Sequence, residues 1–167
     1  MLIRRARTAA ALVVLTAICA VHAQTVPATQ APASARPAVA PRDLAVDEKL
    51  GGHTLARHVG KTDSDLAARL KREPGISAAS TYTDLATASR VVGEALAQQK
   101  SRLDSWLART GPRPNLALNY QTTGPPIGRS MARGARTAQP CRRAVVVLRW
   151  NDSTRRWYVL TSYPEIR

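Results

Sequence analysis

The amino-acid sequence predicts an α+β fold in which N-terminal helices pack on a C-terminal antiparallel sheet. After residue 50 the apolar residues first recur at three-and-four spacing, the mark of helices with one buried face. Beyond Gly111-Pro112 the spacing changes to the alternation of half-buried strands. Helices first and an antiparallel meander afterwards place the two kinds of element in separate layers. No internal repeat is visible.

The chain begins with material that is not fold. Arg4, Arg5 and Arg7 precede an apolar run from Ala9 to Ala20, and Val21-His22-Ala23 resembles a small-residue cleavage site. Residues 1–23 therefore read as a Sec-type signal peptide, too short and wrongly flanked for a spanning helix. Ile18 is too large for the lipoprotein site that Cys19 would otherwise suggest. Residues 24–43 are rich in Ala and Pro, with Pro27, Pro32, Pro37 and Pro41 evenly scattered. Such a stretch cannot bury a core and reads as an extended linker. The folded unit is expected over 44–167, as one domain.

Within it, Leu50 to Val59 is expected to form a short helix despite its Gly pair, stopped by Gly60. Thr62-Asp63-Ser64-Asp65 opens a second helix as a capping box, which Pro74-Gly75 closes. Ile76 to Tyr82 is short and extended. Thr83-Asp84 starts the longest helix, with Leu85, Ala88, Val92, Leu96, Leu103 and Leu107 as its buried stripe. Asn115 to Tyr120 alternates as a strand, and 121–140, rich in Gly, Pro and Arg, is expected to be a long loop. Ala144–Trp150 and Trp157–Tyr163 form a hairpin around Asn151–Thr154.

Composition narrows the partners and the chemistry. With the signal removed, 22 Lys plus Arg face 11 Asp plus Glu, a net charge of +11. That balance suits an anionic polymer, an anionic surface or an acidic protein, although a solvated basic surface is the plainer reading. Cys141 is the one cysteine of the mature chain, so an internal disulfide is not expected. One Cys and two His are too few for a closed zinc site. There is no H-E-x-x-H, no G-x-S-x-G and no Gly-rich phosphate loop. Neither a metal nor a cofactor is expected.

The stretch Gly51 to Lys61 holds both histidines of the mature chain. Five residues apart on one helix, His53 and His58 would point about 140° apart, so a single helix cannot aim both at one small site. His58 lies on the shoulder of the apolar face, equally a partly desolvated base and a capped surface histidine. His53 shares its side with Arg57, toward water. In the last strand, period two puts Trp157, Val159, Thr161 and Tyr163 on one face. The residues alone give these hydroxyls no role beyond water or backbone contacts. Arg69, Lys61, Arg129 and Arg133 read as solvated charges, and Cys141 as a small residue entering a core strand.

Residues 51–63, Gly-Gly-His-Thr-Leu-Ala-Arg-His-Val-Gly-Lys-Thr-Asp, resemble the opening of the bacterial ribonuclease A-like toxin domain found at the C-termini of CdiA-type contact-dependent inhibition proteins. The resemblance continues through Ile76–Tyr82, Gly128-Arg129-Ser130 and Tyr158–Pro164, in order and across the folded unit. It implies a kidney-shaped ribonuclease A-like fold without disulfides. It also implies that His58, Arg69, Thr161 and Tyr163 are the active residues; Lys61, His53 and Arg129 are expected to bind substrate. His58 would take the 2′-hydroxyl proton, and Arg69, with Lys61, would hold the phosphate oxygens. Thr161 would meet a base edge or phosphate. Tyr163 stands where vertebrate ribonucleases carry a second histidine; it is either the general acid or a phosphate ligand.

The resulting expectation is a metal-independent endoribonuclease acting by 2′-hydroxyl transesterification, a secreted or periplasmic antibacterial toxin. Its expected partners are an RNA substrate, tRNA included, and an acidic immunity protein. Monomeric state and no stable membrane insertion are expected. The alternative is a non-catalytic basic module that binds nucleic acid or anionic surface polymers; a third possibility is an acid-surface adhesin domain. The loop with Arg129, Arg133 and Arg136 is where substrate selectivity is expected.

Overall fold

The computed structural model describes residues 39–166. The expected signal peptide and the linker as far as residue 38 lie outside the described residues. Helix α1 (Leu44–Lys49) is capped by Asp43, whose side chain accepts from Ala45 N and Val46 N. The chain just before it, still in the stretch expected to be linker, runs across a later helix: Arg42 N donates to Ser89 O at 3.0 Å.

The helix expected over Leu50–Val59 is confined to α2 (Thr54–His58). The Gly pair ahead of it makes a turn instead. Gly51 has φ +106°, a left-handed conformation that favours glycine, and Gly52 leaves no room for a side chain. A Cβ on Gly52 would lie 2.5 Å from Val159 O and 2.8 Å from Asp47 O. Helix α3 (Asp63–Arg72) starts with the predicted capping box: Asp65 N donates to Thr62 Oγ1, and Thr62 N donates to the Asp65 carboxylate.

Strand β1 (Ala78–Tyr82) leads to α4 (Leu85–Gln98), capped by Asp84, and to α5 (Lys100–Leu107). The single long helix expected here is broken at Gln99, and Leu85 is an exposed residue instead of part of the buried stripe. Strand β2 (Leu116–Gln121) follows. The stretch expected to be a loop contains β3 (Gly128–Ala132) and β4 (Gln139–Cys141). Their Gly, Ser, Ala and Pro residues hide the strand pattern, yet Gly128 is required there, because a Cβ would come within 2.2 Å of Thr81 O. The chain ends in the predicted hairpin, β5 (Arg143–Asn151) and β6 (Arg156–Glu165).

The class is the expected one, helices packed on antiparallel strands, but the strands divide into two sheets of three. These run β1-β3-β4 and β2-β5-β6. Each has its own helix. Leu66 and Leu70 of α3 close on Ala79 and Met131 of the first sheet. Val91, Val92 and Ala95 of α4 close on Leu118, Val146, Leu148 and Val159 of the second, in the main core. The sheets meet at β1 and β6, where Tyr82 Oη and Ser162 Oγ share a buried hydrogen bond of 2.6 Å.

One irregularity in β6 decides what the strand presents. Leu148 pairs with Val159, but Val147 pairs with Thr161, so Leu160 is an extra residue, a β-bulge. The expectation that Val159, Thr161 and Tyr163 share a face is therefore corrected. Val159 faces the main core with Leu148. Beyond the bulge Thr161 and Tyr163 stand on the opposite face, with Val147 and Val145.

Candidate active site

The elements converge on a cleft of about 710 Å³. His53, His58, Arg69, Ser80, Thr161 and Tyr163 all line it, along with the C-terminal Glu165 and Ile166. Three local reasons bring these side chains together. His58 ends α2 and turns inward against β1. Arg69 lies on the shoulder of α3 beside the buried Leu70. The bulge swings Thr161 and Tyr163 away from the helix-packed core.

His58 is almost wholly buried, and its Nδ1 lies 3.0 Å from Ser80 O. A carbonyl oxygen can only accept, so Nδ1 carries the hydrogen and Nε2 is the basic nitrogen left for the cleft. Burial, opposed by the Ser80 bond and reinforced by Arg69, His53 and Arg57, pulls the imidazole from 6.5 down to about 4. At neutral pH it is an uncharged base. The Tyr163 ring is 5.5 Å from it, tilted by 35°. Burial and then the Glu165 charge raise the Tyr163 hydroxyl above its ordinary pKa, so it stays protonated.

Two cleft-lining groups are buried without a protein hydrogen-bond partner among the described residues: Arg69 Nη1 and Thr161 Oγ1. Arg69 keeps only long contacts, 3.3 Å from Nε to the Glu73 carboxylate. Buried polar atoms are nearly always paired, so a forked cation and a hydroxyl left unpaired in one cleft fit an incoming anion with acceptor oxygens.

His53 corrects the sequence argument about the two histidines. Because the Gly turn ends the helix before it, residue 53 is the N-cap of α2 and not part of a continuous helix. Its ring lines the same cleft as His58. The structure does not bring in Lys61 or Arg129. Arg129 Nε donates to Asp63 at 2.6 Å and Nη2 donates to Lys61 O at 2.7 Å, which ties β3 to the start of α3. Arg133 likewise donates to the carbonyls of Glu73 and Ile76.

Ser80 was missed by sequence reasoning. It acts through its backbone carbonyl, which leaves no trace in side-chain identity. Cys141 is buried, and burial raises its thiol to about 11, which keeps it unreactive. Among the described residues, no group of three His, Cys, Asp or Glu is placed to hold a metal ion. Nor is any helix among them long and apolar enough to cross a membrane.

Comparison with known proteins follows the same line. The sequence model of the bacterial CdiA-CT RNase A domain matches residues 52–164. The structure is similar to a chain in the crystal structure of a CdiA-CT/CdiI complex from Y. kristensenii 33638. That similarity has a TM-score of 0.60 and 30% sequence identity, covering 68% of this chain and 99% of that one. Comparison with curated proteins gives no match.

Proposed function

The chain belongs to the family of bacterial CdiA-CT RNase A domains, ribonuclease toxins of contact-dependent inhibition, and from that premise we propose that it is a metal-independent endoribonuclease. One observation carries this reading: a buried neutral base, an unpaired guanidinium nitrogen and an unpaired hydroxyl share a single cleft.

RNA supplies its own nucleophile, the 2′-hydroxyl beside each phosphate. His58 Nε2 takes that proton as the oxygen closes on phosphorus. Negative charge then grows on the non-bridging oxygens, and the Arg69 fork meets it with directed donors. Thr161 Oγ1 gives or takes a hydrogen bond at a base edge or phosphate oxygen, and Tyr163 Oη donates to the same group. The bond to the 5′-oxygen breaks, leaving a 2′,3′-cyclic phosphate.

The wider setting is part of the same proposal. Residues 1–23 act as a Sec-type leader and the stretch before Ala40 as a tether, delivering the folded unit, which includes the packed Ala40–Asp43, to the periplasm or beyond for use against competing cells. The similar CdiA-CT is complexed with a CdiI protein. A partner of that kind, acidic to complement the basic surface, would silence this chain as well.

Cleavage of total RNA by the purified chain in EDTA tests the reading, with wild type beside His58→Ala. Cleavage by wild type, lowered by about a hundredfold or more in the variant, is expected. Binding without cleavage by wild type would put the basic binding module in its place.

A further inference from the structure

Residue 53 sits where a helix normally receives a capping side chain, yet its ring makes no capping hydrogen bond. The reason is Glu48 of α1. Its carboxylate accepts from Leu55 N at 3.1 Å and from Ala56 N at 2.9 Å, satisfying two of the open N–H groups of α2 from outside. The His53 ring is thus released from helix duty. Its backbone is nevertheless fixed against the strand that carries Thr161: His53 N donates to Leu160 O at 2.9 Å. The residue before it, Gly52, is wedged between Val159 O and Asp47 O. A ring that the fold does not use is held, on a rigid backbone, in the cleft of His58.

We propose that His53 is the general acid of the reaction, protonating the 5′-oxygen as its bond to phosphorus breaks. The assignment rests on the ribonuclease reading above. His58 cannot serve both ends of the displacement. One of its nitrogens is committed to Ser80 O, the other takes the 2′-proton, and the leaving oxygen departs from the opposite side of phosphorus. Guanidinium groups are not deprotonated in proteins, which removes arginine as a proton donor. Tyr163 is moved further from neutrality by burial and Glu165. His53 is the remaining imidazole in the cleft.

The step balances. The proton on O2′ passes to His58 Nε2 as the O2′–P bond forms. The P–O5′ electron pair stays on O5′, which takes the proton from the His53 imidazolium. A cyclic phosphate and a 5′-hydroxyl result, and water returns the proton from His58 to His53.

A pH signature follows. His53 is faced by Glu48 of α1, by Arg57 and His58 of α2, by Arg69 of α3, and by Tyr163 and Glu165 of β6 across the cleft. Burial and then Arg57 draw its pKa below 6.5, against the pull of Glu48. With His58 near 4, kcat/KM should form a bell whose acid limb lies near 4 and whose alkaline limb lies below 6.5. A Tyr163 acid would instead place the alkaline limb above about 10.

The test uses the full chain and two substrates, a dinucleotide and a ribonucleoside 3′-(p-nitrophenyl phosphate), whose leaving group needs no proton. Asparagine is a preferred N-cap, so His53→Asn keeps α2 while removing the titrating ring. The variant should lose about a hundred- to ten-thousand-fold in kcat/KM on the dinucleotide, lose the alkaline limb, and stay within about tenfold of wild type on the aryl ester. Equal losses on both substrates, or an unchanged alkaline limb, would overturn the assignment. Selective loss in Tyr163→Phe but not in His53→Asn would transfer it to the tyrosine. Wild type alone gives an independent reading, because the alkaline limb must be present with the dinucleotide and absent with the aryl ester. Wild type inert toward both substrates would overturn the ribonuclease reading itself, and this assignment with it.

Discussion

His58 couples the site to the stability of the fold. Unfolded, its imidazole titrates near the ordinary value of 6.5, and folded it titrates near 4. Between these values the unfolded chain binds more protons, so stability rises with pH across the window. The contribution is complete above 6.5 and is lost as pH falls toward 4, to a total on the order of 3 kcal/mol. Asparagine places an amide N–H where Nδ1 stands and can still donate to Ser80 O, but does not titrate. Urea midpoints measured from pH 7 to pH 4 should therefore fall less steeply for His58→Asn than for wild type. Parallel profiles would mean that the buried histidine adds nothing to acid sensitivity. At this scale residue identity alone left His58 open between base and surface cap. What separates the two is its burial and the carbonyl of Ser80, 22 residues away.

The turn between α1 and α2 and the bulge in β6 are the two irregular elements on which the cleft depends. Gly52 fits where any side chain would strike two backbone oxygens, neither of which can swing aside. Gly52→Ala should cost about 1–3 kcal/mol by overpacking, read as a lowered urea midpoint. Activity should fall at a denaturant-free temperature where the variant remains folded, because His53 and the Leu160 carbonyl shift together. Retained stability and activity would show that the approach of α1 and β6 is loose. By contrast, the Thr62 capping box and the turn end of the β5–β6 hairpin, from Leu148–Val159 to Asn151–Arg156, are regular and rest on neighbours in sequence, so they were legible from local spacing. The bulge was not, since an extra residue is defined only against the strand it pairs with. For the same reason β3 and β4 were hidden in a stretch that composition marks as loop.

Across the whole molecule, cation excess and site geometry act at different stages. The chain carries 25 Lys plus Arg against 11 Asp plus Glu. Arg129 and Arg133, however, spend their guanidinium groups holding β3 against α3 and its following loop. In the proposed reaction the remaining basic surface draws RNA in by counterion release, while Arg69 acts locally at the phosphate. Raising salt should therefore raise KM steeply and leave kcat nearly constant. Each phosphate neutralised adds a slope of about −0.7 to log affinity against log salt. A kcat that falls in parallel with affinity would place the salt-sensitive cations in the reaction itself.

Local order was decided within the sequence: the helical half and the strand half, the caps at Thr62 and Asp84, the terminal hairpin and the basic balance. Each depends on residues a few positions apart or on composition, and the free energy that sets it is short in range. The tertiary structure decided the division into two sheets, the face shown by Thr161 and Tyr163, the tautomer of His58 and the entry of His53 into the cleft. These depend on contacts between segments that local spacing does not relate: Ser80 with His58, Leu160 with His53, Val147 with Thr161. Such contacts exist only once the chain has closed on itself, and no periodicity along one segment carries them.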